Sequence, residues 1–246
     1  MKKLSIKIIT LFPQFVNNFV ESFGIVKRAI TLNLLDIKAV DLRTFGLGDR
    51  QVVDDRPYGG GVGMVLRPDV MLKALQASRK FKVPSSKLKV VLLTPQGKRF
   101  DQKIAQRLAT YDQLIFVSGR YEGFDERIRK FVDEEISIGD YIVMGGELPA
   151  LVISEAVMRL RPGILGKDES SVNESFSESS LEHPQYTKPE VLSIKDKGSK
   201  IKQLRVPKVL LTGHHKNIEE FRKLESQKRT KKRRPDLWGL NKIDQN

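Results

Sequence analysis

Cysteine is absent from the 246 residues of this chain. Its absence excludes disulfides, thiolate zinc sites and cysteine nucleophiles together. Histidine occurs three times. No carboxylate spacing around His214 and His215 resembles a metal site, and both read as surface or RNA-contact residues. The single tryptophan, Trp238, reads as an anchor for the C-terminal tail rather than a base-stacking platform. No apolar run approaches the roughly 18 residues of a membrane span. The opening MKKLSIKIITLF mimics a short signal peptide, but Lys7 interrupts it, Pro13 follows it, and no small-residue cleavage site is evident. It reads as a first core strand, and the protein as cytoplasmic. The common nucleotide fingerprints are missing as well, with no G-x-G-x-x-G after a strand and no G-x-x-x-x-G-K-[ST]. A nucleotide-like ligand would need a less common set of loops. No internal repeat is present.

Positive charge, by contrast, is in excess. Lys and Arg number 44 against 30 Asp and Glu, a net charge of +14. Residues 195–246 carry 16 basic side chains against 6 acidic ones, whereas residues 166–194 carry 2 against 6. A basic terminal module behind an acidic connector points to a nucleic-acid partner. Solubility explains moderate charge, but not the KRTKKRR cluster at 228–234.

The stretch from Leu114 to Leu160 organises the rest. Buried-strand patterns at Leu114–Ser118 and Glu135–Val143 each run into a glycine turn, Gly119–Gly123 and Gly145–Gly146, and each turn is expected to open a helix. Pro149 suits the first turn of the second helix. Glycine at a strand-to-helix turn lets a ligand touch bare backbone. These are either ordinary turns of an α/β domain or the walls of a pocket. Further strands are expected at Ile6–Leu11, Asp36–Asp41 and Lys89–Leu93, and helices from Pro13, from Pro68 to about Lys80, and from the Asp101 cap to about Ala109. Phe15, Phe19 and Phe23 recur at helical spacing and read as core. Strands alternating with helices argue for a mostly parallel sheet covered on both faces. Thr94–Gly97 makes a third turn at a strand's carboxyl end, the edge where open α/β sheets bind ligands.

Arg43–Met64 is too long and glycine-rich for a plain connector. Asp54, Asp55, Arg56 and Tyr58 precede its glycines. The segment is either a mobile lid with solvated charges or a substrate loop that reads a polar base edge. Asp168–Ser180 holds six serines in thirteen residues and is unlike a rigid element when free. Phe176 inside it, with Leu181 and Tyr186 beyond, suggests that it orders on something. Next come an extended run at Val206–Leu211 and a helix begun by Asn217 and Glu220 in a capping-box arrangement.

In this order the sequence resembles the bacterial tRNA (guanine-N1)-methyltransferases, the TrmD type, through nearly its whole length. The motifs are Ile9-Thr10-Leu11-Phe12-Pro13, Asp55-Arg56-Pro57-Tyr58-Gly59-Gly60-Gly61, Thr94-Pro95-Gln96-Gly97, Gly119-Arg120-Tyr121-Glu122-Gly123, Ile138-Gly139-Asp140-Tyr141 and Gly145-Gly146-Glu147-Leu148-Pro149. Arg159, Pro184-Gln185-Tyr186-Thr187, Pro207 and Arg229–Arg234 complete the match. Each is weak alone; the ordered set is specific.

The resemblance implies a SPOUT-type α/β domain with a deep trefoil knot, a small mainly helical C-terminal domain, and a homodimer with shared active sites. The implied division is residues 1–165 for cofactor and catalysis, 166–185 for a flexible connector, and 186–246 for a basic tRNA-binding domain. The implied cofactor is S-adenosylmethionine, held by Leu92, Leu93, Thr94, Pro95, Gly119, Tyr121, Glu122, Ile138, Gly139, Tyr141, Val143, Gly145 and Gly146. The implied tRNA contacts are Asp55, Pro57, Tyr58, Gly59, Lys231, Lys232, Arg233 and Arg234, and the target is the guanine just 3′ of the anticodon. Guanine N1 is protonated at neutral pH, so a base must remove its proton while a cation stabilises charge on O6. The family pattern puts the base just before Ser-Phe, here Glu174, and the cation at Arg159. The sequence departs from that pattern, with Asn173-Glu174-Ser175-Phe176 where the family has Glu-Asp-Ser-Phe. Asp168, Glu169 and Glu178 are nearby substitutes. The family's magnesium dependence extends here as an open expectation with Glu122 the acid to watch, although no dedicated metal site is visible. Two rival readings are a non-catalytic RNA-binding protein and a sibling SPOUT enzyme with another RNA target.

Overall fold

Apolar side chains occupy both faces of the central strands, and that pattern sets the architecture. The computed structural model describes residues 2–79, 87–165, 175–176, 180–195 and 201–238. The chain divides into two compact units, Met1–Asp168 and Glu169–Asn246.

In the first unit, β1 (Leu4–Thr10) leads into α1 (Pro13–Ser22), α2 (Gly24–Thr31) and β2 (Leu35–Asp41). The long loop that follows is pinned by two-residue strands, β3 (Asp54–Asp55) and β4 (Val65–Leu66). Then come α3 (Pro68–Arg79), β5 (Leu88–Arg99), α4 (Gln102–Leu108), β6 (Gln113–Ser118), β7 (Glu134–Ser137) and α5 (Glu147–Met158). Five strands form one sheet in the order β2-β1-β6-β5-β7, and every neighbouring pair is parallel. Successive residues of a strand face opposite ways. Ile8, Val91 and Phe116 accordingly join a core with Val16, Val26, Ile104 and Ile153 of the flanking helices. Their neighbours Ile9, Val90 and Val117 join a second core with Val70, Met71 and Leu75 of α3. A parallel sheet covered on both faces needs such near-continuous apolar strands.

The expected order of strands and helices is present in this unit, with four corrections. β7 stops at Ser137 rather than Val143, because the Ser137 hydroxyl bonds both backbone groups of Gly139, whose φ of +151° turns the chain. The first glycine turn opens a 3₁₀ segment, Glu126–Phe131, instead of an α-helix; the Asp125 side chain accepts from Arg127 N and caps its start. Thr94–Gly97 does not end its strand, since β5 runs on to Arg99 across a register shift. Of the aromatic stripe only Phe19 packs against the core. Phe15 and Phe23 are 44% exposed, and Val16 takes the buried position. The helix breaks between Ser22 and Gly24, so a four-residue repeat through Phe23 does not stay on one continuous face. The apolar helix α5 packs on its own sheet through Ala150, Ile153 and Val157, leaving Leu148 and Val152 exposed.

The second unit contains an antiparallel ribbon, β8 (Val191–Lys195) with β9 (Ile201–Arg205), that the expected mainly helical domain did not include. Its run after Val206 is a 3₁₀ segment, Lys208–Leu211, behind Pro207. The helix α6 (His215–Arg233) begins before Asn217, with His214 at its cap position and no side-chain cap bond, so the anticipated capping box is not formed. Its exposed first turn leaves the N–H groups to water. Ser226 and Thr230 of α6 bond the backbone of Leu181 instead. No described helix is long and apolar enough to cross a membrane.

The Asp101 carboxylate accepts from Ile104 N at 2.8 Å, as its cap position demands. Asp101→Ala is expected to lower unfolding free energy by about 1 kcal/mol, read as a lower urea midpoint, with Asp101→Asn close to the parent. An unchanged midpoint in the alanine variant would show that the cap contributes nothing.

Candidate active site

The irregular stretch inside β5, at its register shift, and the turns after β6 and β7 enclose a cleft of about 430 Å³. The walls are Thr94–Gln96, Gly119–Phe124 and Ile138–Gly146. Five of the lining residues are glycines, at 119, 123, 139, 145 and 146, and they present bare backbone. Thr94 Oγ1 accepts from Gln96 N, and Tyr121 holds a left-handed φ of 57° within its turn. Tyr141, Ile142, Val143 and Met144 present exposed apolar surface along the third wall. Arg129 ties two walls and the floor. It donates to the Gln96 side chain, to Glu126 and to Glu135 of β7.

A buried ion pair fixes the back of the cleft. Glu147, 1% exposed at the start of α5, accepts from Arg120 Nε at 2.9 Å and from Thr10 Oγ1 at 2.7 Å. Arg120 also donates to Met144 O and lies 4.3 Å from the Phe12 ring centroid. Phe12 N donates to Thr10 Oγ1. One network therefore joins the end of β1, the turn after β6 and the first turn of α5. The glycines have matching reasons. A Cβ on Gly145 would lie 2.2 Å from Arg120 Nε, and one on Gly146 would lie 2.6 Å from Ser118 Cα. Gly146 N donates to Gly119 O across that approach. These glycines make room first for protein packing and only then for a ligand.

The long loop is anchored to the same cleft. Glu122 N donates to Met64 O, Leu66 N to Gly123 O, and Asp125 N to Leu66 O. A Cβ on Gly63 would collide with the Glu122 side chain. At the loop's base, Arg67 forks between Asp55 at 2.8 Å and Asp69 at 3.0 Å. The hydrogen bond from Arg67 holds the Asp69 carboxyl below the usual carboxylate range, and Arg127 does the same for Asp125. Tyr58, 99% exposed, stands at the loop's tip beside Gly59 and Gly60, whose φ values of +86° and +82° suit glycine.

Of the anticipated cofactor residues, Leu93, Thr94, Pro95, Gly119, Tyr121, Glu122, Ile138, Gly139, Tyr141, Val143, Gly145 and Gly146 line this one cleft. Leu92 does not; its side chain is buried in the core under α3. Arg159 is the exposed C-cap residue of α5. Glu174, like Asp168, Glu169 and Glu178, lies outside the described residues. Asp55, Pro57, Tyr58 and Gly59 fall together on the anchored loop. Lys231, Lys232 and Arg233 occupy the exposed last turn of α6, while Arg234 pairs with Asp236 and lies 5.5 Å from the Phe176 ring centroid. Sequence reasoning gave no role to Thr10, Arg120, Arg129 or Glu147. An acid just after Gly145-Gly146 was the only signal, and it reads equally well as a helix-dipole partner. Among the described residues, no group of three or more His, Asp or Glu is placed to hold a metal.

Residues 4–240 match the family model described as tRNA (Guanine-1)-methyltransferase TrmD. Similar proteins, each named tRNA (guanine-N(1)-)-methyltransferase, include one from Prochlorococcus marinus (strain MIT 9312), 46% identical over 96% of this chain and 91% of its own length. The protein from Listeria innocua serovar 6a is 45% identical over 95% and 91%. One from Thermus thermophilus is 45% identical over 94% and 90%.

Arg120→Ala would leave the Glu147 carboxylate buried with Thr10 as its hydrogen-bond partner. Loss of one partner from a buried pair is worth about 3–5 kcal/mol, so the variant's urea midpoint should fall steeply. The double variant Arg120→Met/Glu147→Leu should recover much of that loss. A double variant no more stable than Arg120→Ala would rule out an uncompensated buried charge as the cause.

Proposed function

The chain belongs to the tRNA (guanine-1)-methyltransferase family, and we propose that it transfers the methyl group of S-adenosylmethionine to N1 of the tRNA guanine just 3′ of the anticodon. One observation carries the reading: the ordered glycine-bearing motifs of the resemblance converge on a single main-chain-walled cleft. The cleft's chemistry fits this cofactor. Backbone groups of 94–96, 119–123 and 138–146 suit an adenine edge, Tyr141 and Val143 suit its faces, and the carboxylate of Glu122 suits a cationic end. The bound cofactor supplies an electrophilic methyl group.

The protein's own task is to make N1 a nucleophile. Glu174 takes the N1 proton, a role worth roughly 10²–10⁴-fold in rate when well positioned. Arg159 brings an always-charged planar guanidinium to the oxygen where negative charge grows. Asp55, Pro57, Tyr58 and Gly59 receive the RNA around the target base, and the hydrogen bonds from Glu122 N to Met64 O and from Leu66 N to Gly123 O link the two events. The basic unit beyond the connector, with Lys231–Arg233 exposed on α6, holds RNA phosphates.

The return segment after β7 is proposed to thread as a trefoil knot. Its support is the passage of Gly146 directly against the backbone of Ser118 and Gly119. A homodimer with shared sites is proposed from the family and from the exposed Leu148 and Val152, one turn apart on α5. The direct test is methyl transfer from labelled cofactor to tRNA transcripts, followed by mapping of the modified base.

Glu174→Gln should keep transcript affinity and lose most methyl transfer, while Glu174→Asp should retain activity, since the resembled pattern has Asp there. Parent-level turnover in the Gln variant would remove Glu174 from the mechanism.

Shared sites are testable by mixing Arg159→Ala chains with Glu174→Gln chains, each inactive alone. If Arg159 of one chain works with Glu174 of the other, a heterodimer holds one intact site and regains activity. Verified heterodimers that stay inactive would mean that each site is built within one chain. Arg159 suits this test because its exposed position tolerates truncation; Gly145→Leu would strike Arg120.

A further inference from the structure

The second unit has a cavity of its own, of about 440 Å³. One side is apolar, made by Leu211 of the 3₁₀ segment and Ile218 of α6. The lining also includes His183, Tyr186, Glu190 and Arg222. Tyr186 is 47% exposed, and its ring has no aromatic or cationic partner among the described residues. Neither Glu190 nor Arg222 forms an ion pair among the described residues. Elsewhere in the unit, Arg234 pairs with Asp236 and Lys228 with Glu225. The cavity therefore collects a free aromatic face, a free carboxylate and a free guanidinium around an apolar wall.

We propose that this cavity binds one unpaired nucleobase of the RNA substrate, stacked on Tyr186, with its N–H edge toward Glu190 and its phosphate toward Arg222. The proposal rests on the tRNA reading above. The chemistry selects a nucleobase over other occupants. A flat ring with polar edges matches a cavity lined by an aromatic ring and by apolar side chains. A carboxylate accepts from base N–H groups but repels a simple anion, so a free phosphate or acidic metabolite fits poorly. Burial, and then the Arg222 charge, hold His183 below the ordinary histidine range. Its ring is thus mostly neutral at pH 7; Nε2 lies 3.4 Å from the Gln185 side-chain nitrogen, and Nδ1 remains for a base edge. The 16 basic residues within 195–246 draw a polyanion to this unit. Sequence-specific RNA recognition targets unpaired bases splayed onto aromatic side chains, and a substrate modified within a loop has unpaired neighbours to offer.

The test uses the full chain and a tRNA transcript. Tyr186→Ala should weaken transcript binding about tenfold, within the range for loss of one base–aromatic stack, and raise the KM for tRNA to match. Tyr186→Phe should bind as the parent does. The salt dependence should keep the parent's slope in Tyr186→Ala, because stacking releases no counterion, and should flatten in Arg222→Ala. S-adenosylmethionine affinity, measured by calorimetry, should be unchanged in all three. The fluorescence of Tyr186→Trp, made in a Trp238→Phe background, should be quenched on adding transcript. Parent-level transcript affinity in Tyr186→Ala would overturn the proposal and leave the cavity to a peptide or other ligand. Equal losses in the Phe and Ala variants, or unquenched fluorescence in Tyr186→Trp, would overturn it too. Should the parent transfer no methyl group to any transcript, the functional reading fails, while the quenching experiment still decides the cavity's occupant.

Discussion

The Arg120–Glu147 pair is the constraint on which the first unit's active end depends. Its two charges come from the turn after β6 and the first turn of α5, and Thr10 brings in the end of β1. A carboxylate this deeply buried is tolerated only when its oxygens are bonded. Here both are, one by a guanidinium and one by a hydroxyl. The pair also dictates the neighbouring sequence. Arg120 occupies the space beside Gly145 that a side chain would fill, and Gly146 lets the chain pass against Ser118. The return from β7 to α5 runs through this contact. A buried pair is a weak source of net stability compared with apolar packing. Its value here lies in position: it fixes where three chain segments meet, and the cleft is the space they leave.

Because the cleft walls are main chain at the ends of paired strands, the sheet register sets their positions. Backbone groups held this way need no rotamer to be frozen on binding. Side chains with freedom are kept at the margins, at Tyr58, Tyr141 and Met144, all more than half exposed. The loop bearing Tyr58 belongs to the same mechanical system through the Met64–Glu122 and Leu66–Gly123 bonds. A ligand that orders the 119–123 turn therefore also biases the loop, and linkage makes that influence reciprocal.

Much of this was legible in the sequence, for identifiable reasons. The parallel sheet followed from strand patterns alternating with helix patterns, and the α4 start followed from Asp101, because each signal is carried by a short stretch of sequence. The cleft was legible as three glycine-bearing strand ends. The purpose of those glycines was not. Gly145 and Gly146 suggested room for a ligand, but whether a missing Cβ faces ligand or protein depends on what lies across the contact. Glu147 was hidden for the same reason, since an acid in a helix's first turn looks the same whether solvated or buried. The Phe15–Phe19–Phe23 stripe misled because periodicity reports a face and says nothing of what the face meets. The β8–β9 ribbon escaped because Val191–Lys195 and Ile201–Arg205 are short and mostly exposed, with little alternation to reveal them.

The two units are built of opposite materials. The first builds its cleft from main chain on a rigid sheet, with its ion pairs closed internally. Among the described residues of the second, Thr230 alone is buried, and apolar side chains such as Tyr186, Leu211 and Leu224 remain about half exposed. That unit cannot draw precision from a deep core. It draws attraction from charge, which acts at a distance and does not require exact geometry. The division suits an enzyme whose small ligand must be placed to within an ångström while its large one need only be captured and turned. Small misplacements at the reacting atoms can lower rate about 10²-fold, whereas a phosphate contact shifted along a flexible lysine loses little. Precision is therefore concentrated where the buried Arg120–Glu147 pair is, and tolerance where the basic helix is.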